Sequence, residues 1–311
     1  MARVAFVFPG QGSQSVGMLG AFAGDPVVGD IVRRASHALG EDIGRMISEG
    51  PAERLELTVN TQPCLLTASY AIYAAWRAAG GAQPALMAGH SLGEYTALVA
   101  ADAISLEDAV PLVRFRAQAM QEAVPVGVGT MAAILGLDDF NVIQACAEAA
   151  GDQVVEAVNF NAPAQVVIAG HRDAVVRACE ISKRLGAKRA VTLAVSVPFH
   201  SSLIGPAAER LRERLAGVAV RPPAVPVINN VDVRDETDPA RIRDALARQA
   251  AGAVRWTQII QSMSERGITH VIECGPGRVL SALTRRIVPA LTSLSVGDPA
   301  SLEQALSAVR A

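Results

Sequence analysis

Pro84-Ala85-Leu86-Met87-Ala88-Gly89-His90-Ser91-Leu92-Gly93-Glu94-Tyr95-Thr96-Ala97-Leu98-Val99-Ala100-Ala101 is the stretch on which the fold turns. Residues 84–88 read as a short buried strand and residues 94–101 as the first turns of a helix. Between them, Gly89-His90-Ser91-Leu92-Gly93 fits Gly-x-Ser-x-Gly, the nucleophile elbow that carries a serine on a tight strand-to-helix turn. The two glycines let backbones pass where a side chain would clash, so Ser91 Oγ can stand exposed. The helix start supplies free N–H groups and positive potential where a tetrahedral oxyanion would form. An ordinary turn serine is the plain alternative, and the strand–turn–helix setting favours the nucleophile.

Working outward, residues 2–8, fully apolar after Arg3, form a run that ends at Pro9-Gly10, a buried parallel strand leading into the loop Gly10-Gln11-Gly12-Ser13-Gln14. Helical periodicity covers much of 26–49 and then 62–80, with Thr61-Gln62-Pro63 opening the second helix. A further helix from Ser105 to Glu122 starts with Ser105 as cap and Asp108 three residues on. From Gly127-Val128-Gly129 the pattern changes to strand (131–137), helix (139–150), strand (153–159), strand (165–169), helix (172–185) and strand (188–195). The middle strands are joined through the turn-rich Asn159-Phe160-Asn161-Ala162-Pro163. This β-α-β-β-α-β order is the ferredoxin-like arrangement. After Pro198 come a helix near 202–217, an apolar run 225–229, helices 241–249 and 257–266, and a strand 270–273 entering Gly275-Pro276-Gly277. The expected architecture is α/β: a hydrolase-like, parallel-sheet main domain (1–128 and 198–311) with an inserted ferredoxin-like subdomain (129–197).

Bulk properties agree with an enzyme of this kind. The chain has 311 residues, 50% hydrophobic and 4% aromatic, so Ala, Val, Leu and Ile must build the core. A net charge of −2 with no dense Lys/Arg stripe argues against nucleic acid as partner. No apolar stretch is long enough to span a membrane, and the strand-like start does not suit a signal peptide. Cys64, Cys146, Cys179 and Cys274 are widely spaced, which suggests buried thiols in a reducing cytoplasm. Acidic residues lack metal-ligand spacing and no His-x-x-x-His occurs, so no metal and no cofactor are expected.

Ser91 needs a base within hydrogen-bond reach. Of five histidines, His37, His171 and His270 read as solvated or structural, and His90 as part of the pocket wall. His200, in Ser196-Val197-Pro198-Phe199-His200-Ser201, lies where the chain returns from the insertion, a preferred place for a cleft. By position alone it is base or structural histidine equally. No acid between 91 and 200 stands out as its orienter. A Ser–His dyad, with the imidazole steadied by a carbonyl, therefore suits the chain at least as well as a triad.

Gln11-Gly12-Ser13-Gln14, Gly89-His90-Ser91-Leu92-Gly93-Glu94-Tyr95, the arginine helix, Val197-Pro198-Phe199-His200 and Glu273-Cys274-Gly275-Pro276-Gly277 stand in the order found in one family. The chain resembles the malonyl-CoA:acyl-carrier-protein transacylases of bacterial type II fatty-acid synthesis, from about residue 3 to about residue 290. The resemblance implies Ser91 as acylated nucleophile, His200 as general base, and the N–H groups of Gln11 and Leu92 as oxyanion hole. It implies Arg116 as clamp for the malonyl carboxylate, a task suited to a planar guanidinium. Arg114 faces another side of the same helix. The resemblance further makes Gln249 the residue whose carbonyl steadies the histidine; a polar residue ending a helix is the alternative. Asn159 and Asn161 would line the cleft or serve as turn asparagines. In related domains a Phe at position 199 accompanies malonyl and a Ser accompanies branched extenders, in keeping with a ring that crowds an α-methyl group.

The implied activity is malonyl transfer from malonyl-CoA to the phosphopantetheine thiol of acyl carrier protein. Rivals are a serine esterase or thioesterase, a discrete acyltransferase serving a polyketide synthase, and a silent carrier-binding protein. The carrier is acidic, so basic candidates for docking are Lys183, Arg184, Lys188, Arg189, Arg278, Arg285 and Arg286, each otherwise a solvated charge. A monomer is a plausible state; the sequence leaves it open.

Overall fold

From Val4 to Phe8 the first apolar run alternates between two buried faces. In the computed structural model, which describes residues 2–195 and 197–310, β1 (Val4–Phe8) is buried throughout. Val4, Phe6 and Phe8 enter one core and Ala5 and Val7 the other, the mark of a strand covered on both sides. Phe6 meets Tyr73 and Trp76 edge-on, at 5.5 and 5.2 Å between ring centroids, and such pairs add about 0.5–1.5 kcal/mol beyond area burial.

The expected helix over 26–49 is two, α1 (Pro26–Leu39) and α2 (Ile43–Glu49). Gly40 at φ 70° ends the first and Asp42 caps the second. After α3 (Ala52–Leu55), α4 runs from Thr58 to Ala78 and so begins before Pro63. Its opening turn is tied down by Thr61 Oγ1, which donates to Leu55 O at 2.6 Å, and by Asn60 Nδ2, which donates to Arg54 O at 2.8 Å. Then come β2 (Leu86–Gly89), α5 (Leu92–Ala100) and α6 (Leu106–Ala123), the last capped by Ser105.

Next in the chain are β3 (Gly129–Leu135), α7 (Asp139–Ala150), β4 (Val155–Ala162), β5 (Gln165–His171), α8 (Arg172–Arg184) and β6 (Arg189–Thr192). They make an antiparallel sheet in the order β4-β5-β3-β6, with α7 and α8 packed on it. Asn159 to Ala162 belong to β4, with register shifts against β5, and the reversal is left to Pro163-Ala164, where Ala164 takes φ 57°. The turn-rich link is thus mostly strand, because Phe160 N and Val254 N hold β4 to a neighbouring segment through Val254 O and Val158 O at 3.0 and 2.8 Å.

The remainder holds α9 (Gly205–Ala216), β7 (Val227–Ile228), α10 (Pro239–Ala250), α11 (Trp256–Glu265), β8 (His270–Cys274), α12 (Val279–Ile287), β9 (Thr292–Val296) and α13 (Pro299–Arg310). The main sheet is parallel, β7-β2-β1-β8-β9. α12, β9 and α13 lie beyond the stretches read from sequence. Met1, Ser196 and Ala311, which fall within the expected domain spans, lie outside the described residues. Among the described residues no helix is long and apolar enough to cross a membrane. Cys64, Cys146 and Cys274 are buried free thiols, whereas Cys179 is half-buried on α8.

Candidate active site

β1 and β2 pair with Phe8 opposite Gly89, so the loop after β1 and the elbow after β2 emerge together at the carboxyl end of the sheet. His90 N donates to Phe8 O at 3.0 Å. The elbow glycines have no room for a side chain. A Cβ on Gly89 would stand 1.8 Å from the Gly93 carbonyl carbon, and one on Gly93 2.1 Å from Phe8 O. Ser91 takes φ 51° and ψ −108°, a conformation that non-glycine residues rarely adopt.

Ser91 Oγ lies 2.8 Å from His200 Nε2, and His200 Nδ1 lies 2.9 Å from the main-chain oxygen of Gln249. A carbonyl only accepts, so Nδ1 carries the proton and Nε2 presents its lone pair to the serine. His200 is 5% exposed, at φ 66°. Burial, reinforced by the positive Arg116, pushes its pKa down to about 3. The imidazole is therefore neutral over the physiological range.

Arg116, on α6, is buried beneath the serine. Its Nη2 donates to Ser91 Oγ at 3.1 Å and to Gln249 Oε1 at 2.8 Å, and Nη1 donates to Gln62 Oε1 at 2.9 Å. The Nε–H is buried without a partner among the described residues. The Tyr95 ring lies 5.3 Å from the guanidinium carbon. Arg114 points elsewhere, paired with both oxygens of Glu41 at 2.9 and 2.7 Å.

The cleft above these groups encloses about 230 Å³ and is lined by Gln11, Leu92, His90, Asn159, Asn161 and Phe199 together with Ser91, Arg116 and His200. Leu92 is the first residue of α5, whose N–H has no carbonyl one turn back to pair with. Gln11, in the loop after β1, donates its side-chain amide to Thr58 Oγ1 at 3.1 Å. His90 Nε2 lies 2.8 Å from Asn161 Oδ1, which fixes the ring on the cleft wall. Asn159 and Asn161 are strand residues facing this cleft, because β4 extends past them. The other histidines lie apart: His37 is exposed, His171 Nδ1 accepts Val154 N, and His270 Nδ1 meets Thr269 Oγ1.

Sequence reasoning does not single out Gln62, Glu94 or Asn230. Glu94 Oε2 accepts Asn230 N at 2.9 Å and Gln249 Nε2 at 3.0 Å, and Gln249 Nε2 also donates to Ser91 O at 2.8 Å. Burial pushes the Glu94 pKa up to about 7, against the hydrogen bonds and the nearby Arg116 that favour its charge. The one available signal was position, since Glu94 directly follows the elbow; an acid in a first helical turn has an ordinary explanation.

Comparison with known proteins places the chain. The acyl transferase domain family matches residues 5–299. The malonyl CoA-acyl carrier protein transacylase of Salmonella typhimurium strain LT2 is 54% identical over 308 residues, covering 99% of this chain and 100% of the relative. That of Escherichia coli strain K12 is 53% identical over 307 residues, covering 98% and 99%. An acyl-carrier-protein S-malonyltransferase structure from Burkholderia pseudomallei 1710b superposes with a TM-score of 0.97 at 64% identity, covering 99% of this chain and 100% of its own. A malonyl-transacylase solved in complex with a type II PKS acyl-carrier protein does so with a TM-score of 0.97 at 50% identity, covering 99% and 100%. With matches that run nearly end to end, the chain belongs to the acyl transferase family, among its malonyl CoA-acyl carrier protein transacylases.

Proposed function

We propose that the chain transfers a malonyl group from malonyl-CoA to the phosphopantetheine thiol of acyl carrier protein through a malonyl ester on Ser91, supplying fatty-acid elongation in the cytoplasm. One observation carries this reading above the rest: the buried Arg116 guanidinium contacts the same Ser91 Oγ that His200 faces. A hydrolase of simple esters has no use for a buried cation beside its nucleophile, whereas a malonyl thioester bears a carboxylate a few bonds from the reacting carbonyl.

In the first half-reaction His200 Nε2 takes the Ser91 proton as Oγ attacks the thioester carbon. The oxyanion forms between the N–H groups of Gln11 and Leu92. Its collapse breaks the C–S bond, and His200 returns the proton to the departing CoA sulfur. When Oγ becomes an ester oxygen it releases the Arg116 Nη2–H it had accepted. That hydrogen and the second one on Nη1 then form a fork for the malonyl carboxylate. In the second half-reaction His200 takes the proton of the carrier thiol, the sulfur attacks the ester, and the Ser91 oxygen recovers its proton from the imidazole. The Phe199 ring, beside His200 in the cleft wall, crowds the α-carbon against a methyl branch. These groups and the two substrates account for every step, so we assign no cofactor and no metal.

Intact-protein mass after brief incubation with malonyl-CoA, beside acetyl-CoA, tests the reading. The expected result is a malonyl adduct that is absent in Ser91→Ala, weakened in Arg116→Ala and discharged by carrier protein. Free malonate accumulating without an adduct would assign the chain to hydrolysis instead. Running the discharge with carriers from fatty-acid and polyketide pathways separates the two routes, which the likeness to a transacylase solved with a polyketide carrier makes worth comparing.

A further inference from the structure

Asn230 follows β7 and is fully buried. β7 runs beside β2 for two residue pairs only, Met87 with Val227 and Ala88 with Ile228, so that ladder stops short of the elbow. The Asn230 side chain continues it. Nδ2 donates to Gly89 O at 2.7 Å, and Oδ1 accepts Ser91 N at 2.8 Å. Engaging the carbonyl before His90 and the N–H after it is how a main-chain residue of a parallel neighbour would pair. The remaining polar groups of Asn230 are also committed: its N–H to Glu94 Oε2 at 2.9 Å, and its carbonyl to Arg255 N at 3.2 Å.

From the opposite side β1 holds His90 N through Phe8 O, and Gln249 Nε2 holds Ser91 O. The left-handed backbone of Ser91 is thus pinned from every direction. A rare conformation of this kind persists only where its surroundings over-determine it.

The geometry points to Asn230 as a positioning residue for the nucleophile: its amide clamps the elbow and so aims Ser91 Oγ at His200 and Arg116, while Glu94 holds the clamp. Asn230 touches no reacting atom. Aspartate could not donate to Gly89 O and would set a carboxylate against that carbonyl. Serine and alanine fall short, and glutamine adds a methylene where the site is closed.

The inference rests on Ser91 being the acylated residue. Its test is the rate constant for malonyl-adduct formation per acylatable serine, with the KM for malonyl-CoA and the thermal midpoint, in Asn230→Asp and Asn230→Ala. Val142→Ala, in the buried core over the small sheet, measures what destabilisation alone does. Both Asn230 variants are expected to acylate about 10²-fold more slowly. KM should stay within about twofold, since Arg116 is untouched. Val142→Ala should melt earlier yet acylate at the wild-type rate. A folded Asn230→Asp that matches the wild type, or loses no more rate than Val142→Ala, overturns the inference. If neither Asn230 variant folds, Glu94→Met, which fills the same space without an acceptor for Asn230 N or Gln249 Nε2, decides. Loosening the anchor should slow acylation about tenfold, the weight of one hydrogen bond, and an unchanged rate refutes the clamp. A wild type that forms no adduct would overturn the role of Ser91 itself, a separate outcome.

Discussion

His200 Nδ1 donates to the main-chain oxygen of Gln249 at 2.9 Å, a neutral acceptor in the place where a triad would hold a carboxylate. The difference is chemical. A carbonyl fixes tautomer and ring orientation as well as a carboxylate does, but adds no full negative charge to support an imidazolium. Arg116 opposes that charge further. The same arginine donates to Ser91 Oγ, so in the proposed mechanism the help withheld from the base is given to the alkoxide.

The pH dependence follows. With the His200 pKa held near 3, kcat/KM for malonyl-CoA should show no inflection near 6.5, the ordinary histidine value. A bound malonyl carboxylate offsets the Arg116 charge, so the acid limb of kcat should lie at higher pH than that of kcat/KM. Glu94→Gln is the background for both profiles, since Glu94 titrates near 7. For stability, the Glu94 pKa is raised on folding. Its contribution is therefore fully present below 4.5 and is lost as pH rises through about 7. Urea unfolding of Glu94→Gln should gain on the wild type as pH goes from 4.5 to 8. For His200 the folded pKa is depressed, so its contribution is present above 6.5 and lost as pH falls toward 3.

Arg116 and Arg114 form an internal comparison two residues apart. Arg116→Ala should lower kcat/KM for malonyl-CoA by about 10²-fold or more, since it removes a buried cation and orphans Gln62 and Gln249. Arg116→Lys should not restore it, because an ammonium cannot span three acceptors in one plane. Arg114→Ala breaks a pair with an exposed Glu41 and should change steady-state rates by less than about twofold.

What could be read in advance was local. The elbow, the apolar β1 and the β-α-β-β-α-β succession of elements in the small domain each rest on neighbours in sequence, whose periodicity and glycines announce them. The clamp on Ser91 was not legible. Asn230 in Asn229-Asn230-Val231-Asp232 looks like any turn asparagine, and Asp232 N indeed turns back onto Asn229 Oδ1 at 2.7 Å. Its role exists only because the sheet order sets β7 beside β2. Asn159 and Asn161 line the cleft, one of their two readings, but from a strand and not a turn: the turn-like composition around them yields to pairing of β4 with β5 on one edge and with Val254 on the other. Pro63 marks a helix start by preference, yet side-chain bonds upstream carry α4 back to Thr58.

The glycines of the elbow permit a stability test. Gly93→Ala drives a methyl into Phe8 O of the central strand, and backbone there cannot yield. A loss of about 3 kcal/mol or more is expected in urea unfolding. Gly12→Ala meets open space and suffers only from its φ of 104°, so a loss of about 1 kcal/mol should suffice. Equal losses in both would mean that the elbow is not tightly packed.

Carrier recognition should depend on charge at the rim. Among the basic residues expected to dock the carrier, Arg184 is paired with Glu148, Arg285 donates to Ser293 O, and Arg286 is engaged with Gln165 and Pro163 O. Lys188 and Arg189 make no ion pair among the described residues. Arg189 opens β6, the edge strand of the small sheet, and the chain beyond it supplies Leu193 and Val195 to the cleft. An acidic carrier seated on this edge would meet that positive charge. Reversing both residues to glutamate should raise the KM for an acidic carrier about tenfold and steepen with falling salt, since rim charges act on encounter. Acylation by malonyl-CoA at the same serine should keep its rate. Carrier kinetics left untouched by the reversal would remove this edge from the docking surface and turn attention to Arg278, beside the loop Gly275–Gly277.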